Sequence, residues 1–165
     1  MSKSAAVPSA PGPVGISRSD CLEVTDDTPS RDRGIAELAI GQSVIQRYTF
    51  DAAALQHFNA LARDRAPIHH EPARARGAGS EAPIVQGLAL ASRFSRLIGM
   101  YLPGERAILQ KIELRYRQPV YADRELVYRC TVARILRAMS VAQLSLAITM
   151  DGAEHVTGHC QCLVR

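Results

Sequence analysis

The sequence predicts an α+β fold: an antiparallel sheet with one face covered, and a single buried helix. Three observations carry this. Four runs in the C-terminal half alternate apolar and polar residues, the period of a half-buried strand. They follow one another with turn residues between them, and long alternating strands in series make an antiparallel sheet. The segment from Ile84 to Tyr101 is apolar on nearly all sides, broken mainly by Arg93 and Arg96, as in a helix enclosed by other elements. One strand, a helical region with that helix, and then four strands is an α+β order.

Residues 1 to 34 are rich in Ser, Pro, Gly, Asp and Arg with little apolar pattern. They are expected to form a disordered or loosely ordered leader, dispensable to a domain running from about Ile35 to Arg165. Ser43 to Phe50 alternates, with Val44, Tyr48 and Phe50 on one parity, and reads as a strand. Asp51 is a good N-cap. Ala52 to Ala62 then reads as a helix, with Leu55, Phe58, Leu61 and Ala62 at helical spacing. Glu71 to Ala82 is a polar loop with room for a helical turn, and His70 and Glu71 are expected to face solvent. Pro83 suits the first turn of the buried helix, expected from about Ile84 to Met100, and Pro103-Gly104 ends it.

The four strand runs follow. Ile108, Ile112, Leu114 and Tyr116 share one face, and Leu126, Tyr128, Cys130 and Val132 the next. Ala142, Leu144, Leu146, Ile148 and Met150 make a third, and Val156, Gly158, Cys160, Cys162 and Val164 a fourth. Turns are expected over Pro119 to Asp123, Arg137 to Ser140 and at Asp151-Gly152.

Within this frame one stretch draws attention: Leu61-Ala62-Arg63-Asp64-Arg65-Ala66-Pro67-Ile68-His69-His70. It sets a carboxylate and an imidazole five residues apart with a proline between. The residue before Pro67 is pushed out of helical geometry, so Asp64 closes a helix and His69 lies beyond a bend. Such a bend can aim both side chains at one water, an acid–base arrangement. The spacing alone favours the plainer reading, a helix end followed by a polar surface loop.

These residues resemble the signature of the MaoC-like, (R)-specific enoyl-CoA hydratases, whose pattern is Gly-Asp-x-Asn-Pro-apolar-His followed by five residues and a small one. Asp64, Pro67, Ile68, His69 and Ala75 fall in place, while Arg63 replaces the Gly and Ala66 the Asn. Pro83-Ile84-Val85-Gln86-Gly87 is similar to the family's Ile-Val-His-Gly helix start, with Gln86 for the His. Arg115-Tyr116-Arg117-Gln118-Pro119-Val120 is similar to its Phe-x-x-Pro-Val strand end. The likeness runs from about Gly41 to the end of the chain.

It implies a hot-dog fold, with the antiparallel sheet wrapped around the central helix, and a hydro-lyase acting on enoyl thioesters. In the reverse direction the enzyme dehydrates (R)-3-hydroxyacyl thioesters. Carried over, Asp64 and His69 are the catalytic pair and the Gly87 N–H is the oxyanion donor, although close helix packing also accounts for a glycine there. Ser95, Gln86, Pro67 and Ile68 are candidate substrate contacts. Ser95 also reads as an ordinary buried helix serine. No metal or redox cofactor is required.

The substrate is expected to ride on CoA or on an acyl carrier protein, with Arg63, Arg65, Arg74 and Arg76 placed to meet its phosphates, or simply solvated. A homodimer is expected. The alternatives are a carrier-protein-dependent 3-hydroxyacyl dehydratase, a non-catalytic hot-dog subunit, and a thioesterase. The last usually carries its carboxylate on the central helix, and Ile84 to Gly99 contains no Asp or Glu.

Composition limits the remaining possibilities. A chain of 165 residues is one domain's worth, and 47% hydrophobic with 22% charged is an ordinary globular balance. The sequence has no run of about 18 apolar residues, so no membrane span is expected. Met1 to Pro13 lacks a signal-peptide core, so a cytoplasmic, reducing location is expected. The net charge of +4 comes from arginines spread along the chain, with 5% aromatics, and argues against nucleic acid binding. Cys21, Cys130, Cys160 and Cys162 contain no C-x-x-C, so disulfides are not expected. His155 and His159 fall on the opposite strand face from Cys160 and Cys162, which argues against zinc.

Overall fold

Pairing of the long alternating runs builds the sheet that the periodicity predicts. The computed structural model describes residues 21–165. Its strands are β1 (Cys21–Glu23), β2 (Ser43–Thr49), β3 (Ala107–Tyr116), β4 (Glu125–Leu136), β5 (Val141–Met150) and β6 (Ala153–Val164). Its α-helices are α1 (Ala52–Ala62), α2 (Pro72–Gly77) and α3 (Gly87–Arg96). The strands form one sheet in the order β1-β2-β4-β5-β6-β3. β1 lies parallel to β2 and every other pair is antiparallel. Among the described residues no helix is long and apolar enough to cross a membrane.

The register sets the expected faces together. Cys130 pairs with Leu146, Leu144 with Cys160 and Ile148 with Val156, and all six are buried. The β5–β6 hairpin turns on Asp151 (φ 51°) and Gly152 (φ 81°), the positive-φ pair that a two-residue turn matching strand twist requires. On the covered face lies α3. Phe94 is fully buried and packs edge-on against Tyr128, ring centroids 5.2 Å apart. The Tyr128 hydroxyl, itself buried, donates to the Leu90 carbonyl at 3.1 Å, which satisfies a polar group inside the core.

Three expectations change. The helix starts at Gly87, not Ile84, because the preceding residues join the sheet edge. Ile84 forms a β-bridge with Tyr121, and the Val85 N–H donates to the Val120 carbonyl at 2.8 Å. The helix is also not enclosed on every side: Leu88 is 74% exposed, and Ser92 and Ser95 face outward beside it. After Arg96 it widens into a π turn over Leu97–Tyr101, which keeps Leu97, Ile98 and Tyr101 buried before Gly104 ends it at φ 113°.

The third change concerns the leader. Residues 1–20 lie outside the described residues, but residues 21–34 pack on the domain. β1 extends the sheet, Val24 is buried, and the Tyr101 hydroxyl donates to the Thr28 carbonyl at 3.1 Å. A few apolar residues suffice here because the sheet edge and the π turn supply the surface they cover. Deleting residues 1–30 is therefore expected to destabilise the protein. Burial of one valine contributes about 1.5–3 kcal/mol, and stripping a buried hydroxyl of its partner costs about 1–3 kcal/mol. The melting temperature should fall by several degrees, whereas an unchanged melt would make the segment dispensable after all.

Candidate active site

The dyad is assembled by a helix end and a tight turn. Asp51 caps α1, its carboxylate accepting the Ala54 N–H at 2.8 Å. At the other end Arg63 takes the left-handed conformation (φ 53°) and donates its N–H to the Asn59 carbonyl at 2.8 Å. That conformation explains the glycine of the resembled motif at this position, since glycine adopts it without strain. Asp64 follows, and its Oδ1 accepts the Ala66 N–H at 2.9 Å, a side-chain-to-backbone turn closed two residues on. Order between Asp64 and His69 thus comes from a backbone N–H, and the Ala66 side chain takes no part. Ala66 is extended (ψ 125°) as a residue before proline must be, and Pro67 opens a 3₁₀ turn that ends on His69.

His69 is held in one orientation and one tautomer. Its Nδ1 lies 2.8 Å from the Ile84 carbonyl, and a carbonyl only accepts, so Nδ1 carries the proton. The bare Nε2 then faces Asp64 Oδ2 across 3.8 Å. This gap is too long for a direct hydrogen bond and suits a small molecule bonded to both. The side chains are 15% exposed for His69 and 35% for Asp64, so the pair is reachable from solvent.

Gly87 is the first residue of α3. The first helical bond runs from the Leu90 N–H to the Gln86 carbonyl at 3.1 Å, so the earlier N–H groups have no intrahelical acceptor. Together with the helix dipole they favour an oxyanion. Gln86 is buried, and its amide donates to Asn59 Oδ1 at 2.6 Å, tying α1 to the start of α3. Asn59 was not legible as a site residue, because an asparagine within a helix reads as solvated.

Two cavities meet at the dyad. One, of about 340 Å³, is lined by Phe58, Asp64, His69, Gln86, Gly87 and Leu88 among others. The other, of about 380 Å³, has apolar walls that include Ile68, Ile84, Val85, Leu90 and Val120. His69, Gly87 and Tyr116 border both. Tyr116 is the residue that sequence reading missed. Its hydroxyl donates to the Gly87 carbonyl at 2.7 Å, and burial pushes its pKa up. It replaces the phenylalanine of the resembled strand-end motif, and that difference was the available signal.

The remaining candidates divide. Ile68 lines the apolar cavity, whereas Pro67 borders neither dyad cavity and serves to turn the chain. Ser95 is exposed on the outer face of α3 and borders neither cavity, so a single chain does not bring it to the dyad. His70 and Glu71 face solvent as expected. Arg63, Arg65, Arg74 and Arg76 are all exposed around the dyad segment. Ala75, the small residue of the motif, is fully buried in α2. Cys160 and Cys162 point into the core while His159 is exposed, so these three do not converge.

The sequence profile of the MaoC like domain matches residues 36–149. An (R)-specific enoyl-CoA hydratase of Aeromonas caviae is 37% identical over 122 residues, covering 73% of this chain and 91% of its own. A mitochondrial 3-hydroxyacyl-[acyl-carrier-protein] dehydratase of Arabidopsis thaliana is 30% identical over 54% of this chain and 53% of its own. Among solved structures, an (R)-hydratase from A. caviae involved in PHA biosynthesis superposes with a TM-score of 0.73. It shares 34% identity and covers 78% of this chain and 98% of its own.

Proposed function

The chain belongs to the MaoC-like domain family, with a hot-dog fold, and on that premise we propose that it adds water to trans-2-enoyl thioesters with (R) specificity, Asp64 and His69 acting as its acid–base pair. The reverse reaction dehydrates (R)-3-hydroxyacyl thioesters. The observation that carries the assignment of the pair is the 3.8 Å gap between His69 Nε2 and Asp64 Oδ2, bordering one cavity with Gly87.

The geometry supports the following course. A water hydrogen-bonded to both groups gives its proton to His69 Nε2, the only ring nitrogen with a free lone pair. Its oxygen bonds to C3 as the C2=C3 π electrons move toward the thioester oxygen. The Gly87 N–H at the helix start stabilises that oxygen as it becomes enolate-like. Asp64 stabilises the imidazolium formed, which then protonates C2 as the enolate collapses. Water's two hydrogens thus end on C2 and on the C3 hydroxyl, and His69 returns to its starting tautomer. The apolar cavity walls suit the acyl chain.

Crotonyl-CoA hydration, followed as loss of the conjugated thioester's ultraviolet absorbance, is the direct assay. No turnover by the folded protein on CoA or carrier-protein enoyl thioesters would defeat the reading. The dehydratase relative favours a carrier-borne substrate as a second reading. A carrier-protein thioester with a much higher kcat/KM than the CoA thioester of the same chain would select it. Arg63, Arg65, Arg74 and Arg76 serve either carrier as phosphate contacts.

The protein acts as a homodimer joined along β3. Among the described residues that strand is an edge, paired only with β6, and it leaves Ile108, Leu109, Ile112 and Tyr116 each at least 38% exposed, beside Leu88. An unpaired apolar edge of this length is satisfied by a second copy. Ile112→Glu is expected to convert dimer to monomer by light scattering and, because Tyr116 borders the site, to lower activity. A wild-type monomer would remove the interface.

A further inference from the structure

The helix that delivers Asp64 is lightly anchored. No residue of α1 is buried, and only Ala54, Leu55 and Phe58 pack partly against the core. Among the described residues, one side-chain hydrogen bond joins α1 to another element of the fold. It is the 2.6 Å bond from Gln86 Nε2 to Asn59 Oδ1.

Both partners are fixed through their backbones as well. The Asn59 carbonyl accepts the Arg63 N–H at 2.8 Å, so the same residue closes the helix one step before Asp64. The Gln86 carbonyl accepts the Leu90 N–H at 3.1 Å, and the Val85 N–H before it is held by the Val120 carbonyl at 2.8 Å. Gln86 is buried, so its amide has little access to water as an alternative partner. The four residues from Ile84 to Gly87 thus carry three attachments of the site. The Ile84 carbonyl orients His69, the Gln86 side chain holds α1 ahead of Asp64, and Gly87 opens α3.

His69 is tied to this stretch by its own ring, and Gly87 is part of it. Asp64 is not. Its Oδ1 accepts the Ala66 N–H two residues on, a contact that moves with the turn itself. The placement of Oδ2 across the 3.8 Å gap therefore depends on where α1 ends as well as on the turn that carries His69. We propose that Asn59 is a positioning residue: through its bond to Gln86 it sets Asp64 against His69 and the Gly87 N–H. The inference rests on the dyad reading above. Misplacing a reacting group by about 1 Å can cost about 10²-fold, so a hydrogen bond remote from the reacting atoms can act on rate without acting on affinity.

In the full-length protein, assayed well below its melting temperature, Asn59→Ala is expected to lower kcat for crotonyl-CoA hydration by about tenfold or more while KM stays near the wild-type value. Asn59→Asp keeps an acceptor for the Gln86 amide and should restore most of kcat. Gln56→Ala, at an exposed position of the same helix, should change neither constant. Asn59→Ala is then added to Gln86→Ala: with the partner gone, loss of Asn59 should cost no further rate. Amide hydrogen exchange reads the same bond without turnover. Residues 52–66 should exchange faster in Asn59→Ala and at the wild-type rate in Asn59→Asp. The proposal fails if Asn59→Ala keeps wild-type kcat, if it loses as much rate without Gln86 as with it, or if Asn59→Asp is as impaired as Asn59→Ala. Unchanged exchange over residues 52–66 in Asn59→Ala overturns it as well. No turnover by the wild-type protein would instead defeat the dyad reading, and the exchange comparison would still decide whether this bond anchors α1.

Discussion

Asp64→Asn is expected to lower kcat for crotonyl-CoA hydration by roughly 10²–10⁴-fold, the range for losing a positioned acid–base group, with little change in melting temperature. The substitution isolates chemistry from structure. Asparagine keeps an oxygen able to accept the Ala66 N–H that closes the turn at 2.9 Å, so the backbone between residues 64 and 69 should hold. What disappears is the negative charge facing Nε2, and with it the stabilisation of the imidazolium. His69→Ala removes the proton carrier itself and should fall in the same range. The double variant should be no slower than the worse single one, because two groups serving one water act as a unit. Either single variant turning over at the wild-type rate would exclude that residue from the mechanism.

Gly87→Ala keeps the backbone N–H but is expected to reduce kcat/KM by about 10²-fold, the cost of misplacing a reactant by about 1 Å, while the fold is kept. Position 87 does not require positive φ, and alanine favours a helix over glycine by roughly 0.5–1 kcal/mol. The added Cβ, however, would lie 3.1 Å from Cζ of Tyr116, tighter than normal contact. Tyr116 is tethered by its own hydroxyl to the Gly87 carbonyl, so the ring has little freedom to retreat. The methyl group also occupies the side from which the thioester must approach. Tyr116→Ala should relieve the ring contact and recover part of the loss if crowding dominates. A Gly87→Ala enzyme with wild-type kcat/KM would show that the thioester does not need the space beside the Gly87 N–H.

Much of this protein was legible in its sequence, because the informative patterns are local. Period-two alternation in β4, β5 and β6 reports burial directly, since successive side chains of a strand point to opposite faces. The α1 boundaries followed from the Asp51 cap and the helical spacing after it. The proximity of Asp64 and His69 followed from Pro67, which forbids helix at Ala66 and forces the bend. Other features depend on partners distant along the chain, and residue patterns do not encode those. Ile84 and Val85 join the sheet because Tyr121 and Val120 lie beside them, which delays the helix to Gly87. Residues 21–34 are ordered by the β2 edge and the π turn, against their own composition. The His69 tautomer is set by the Ile84 carbonyl fifteen residues away, and the proposed oxyanion site is bordered by Tyr116, twenty-nine residues beyond Gly87. The sequence by itself determined strands β2 to β6 and the groups proposed to carry the chemistry. Only the tertiary structure decided where their protons and neighbours sit, because hydrogen-bond direction and close packing are set by non-local contacts.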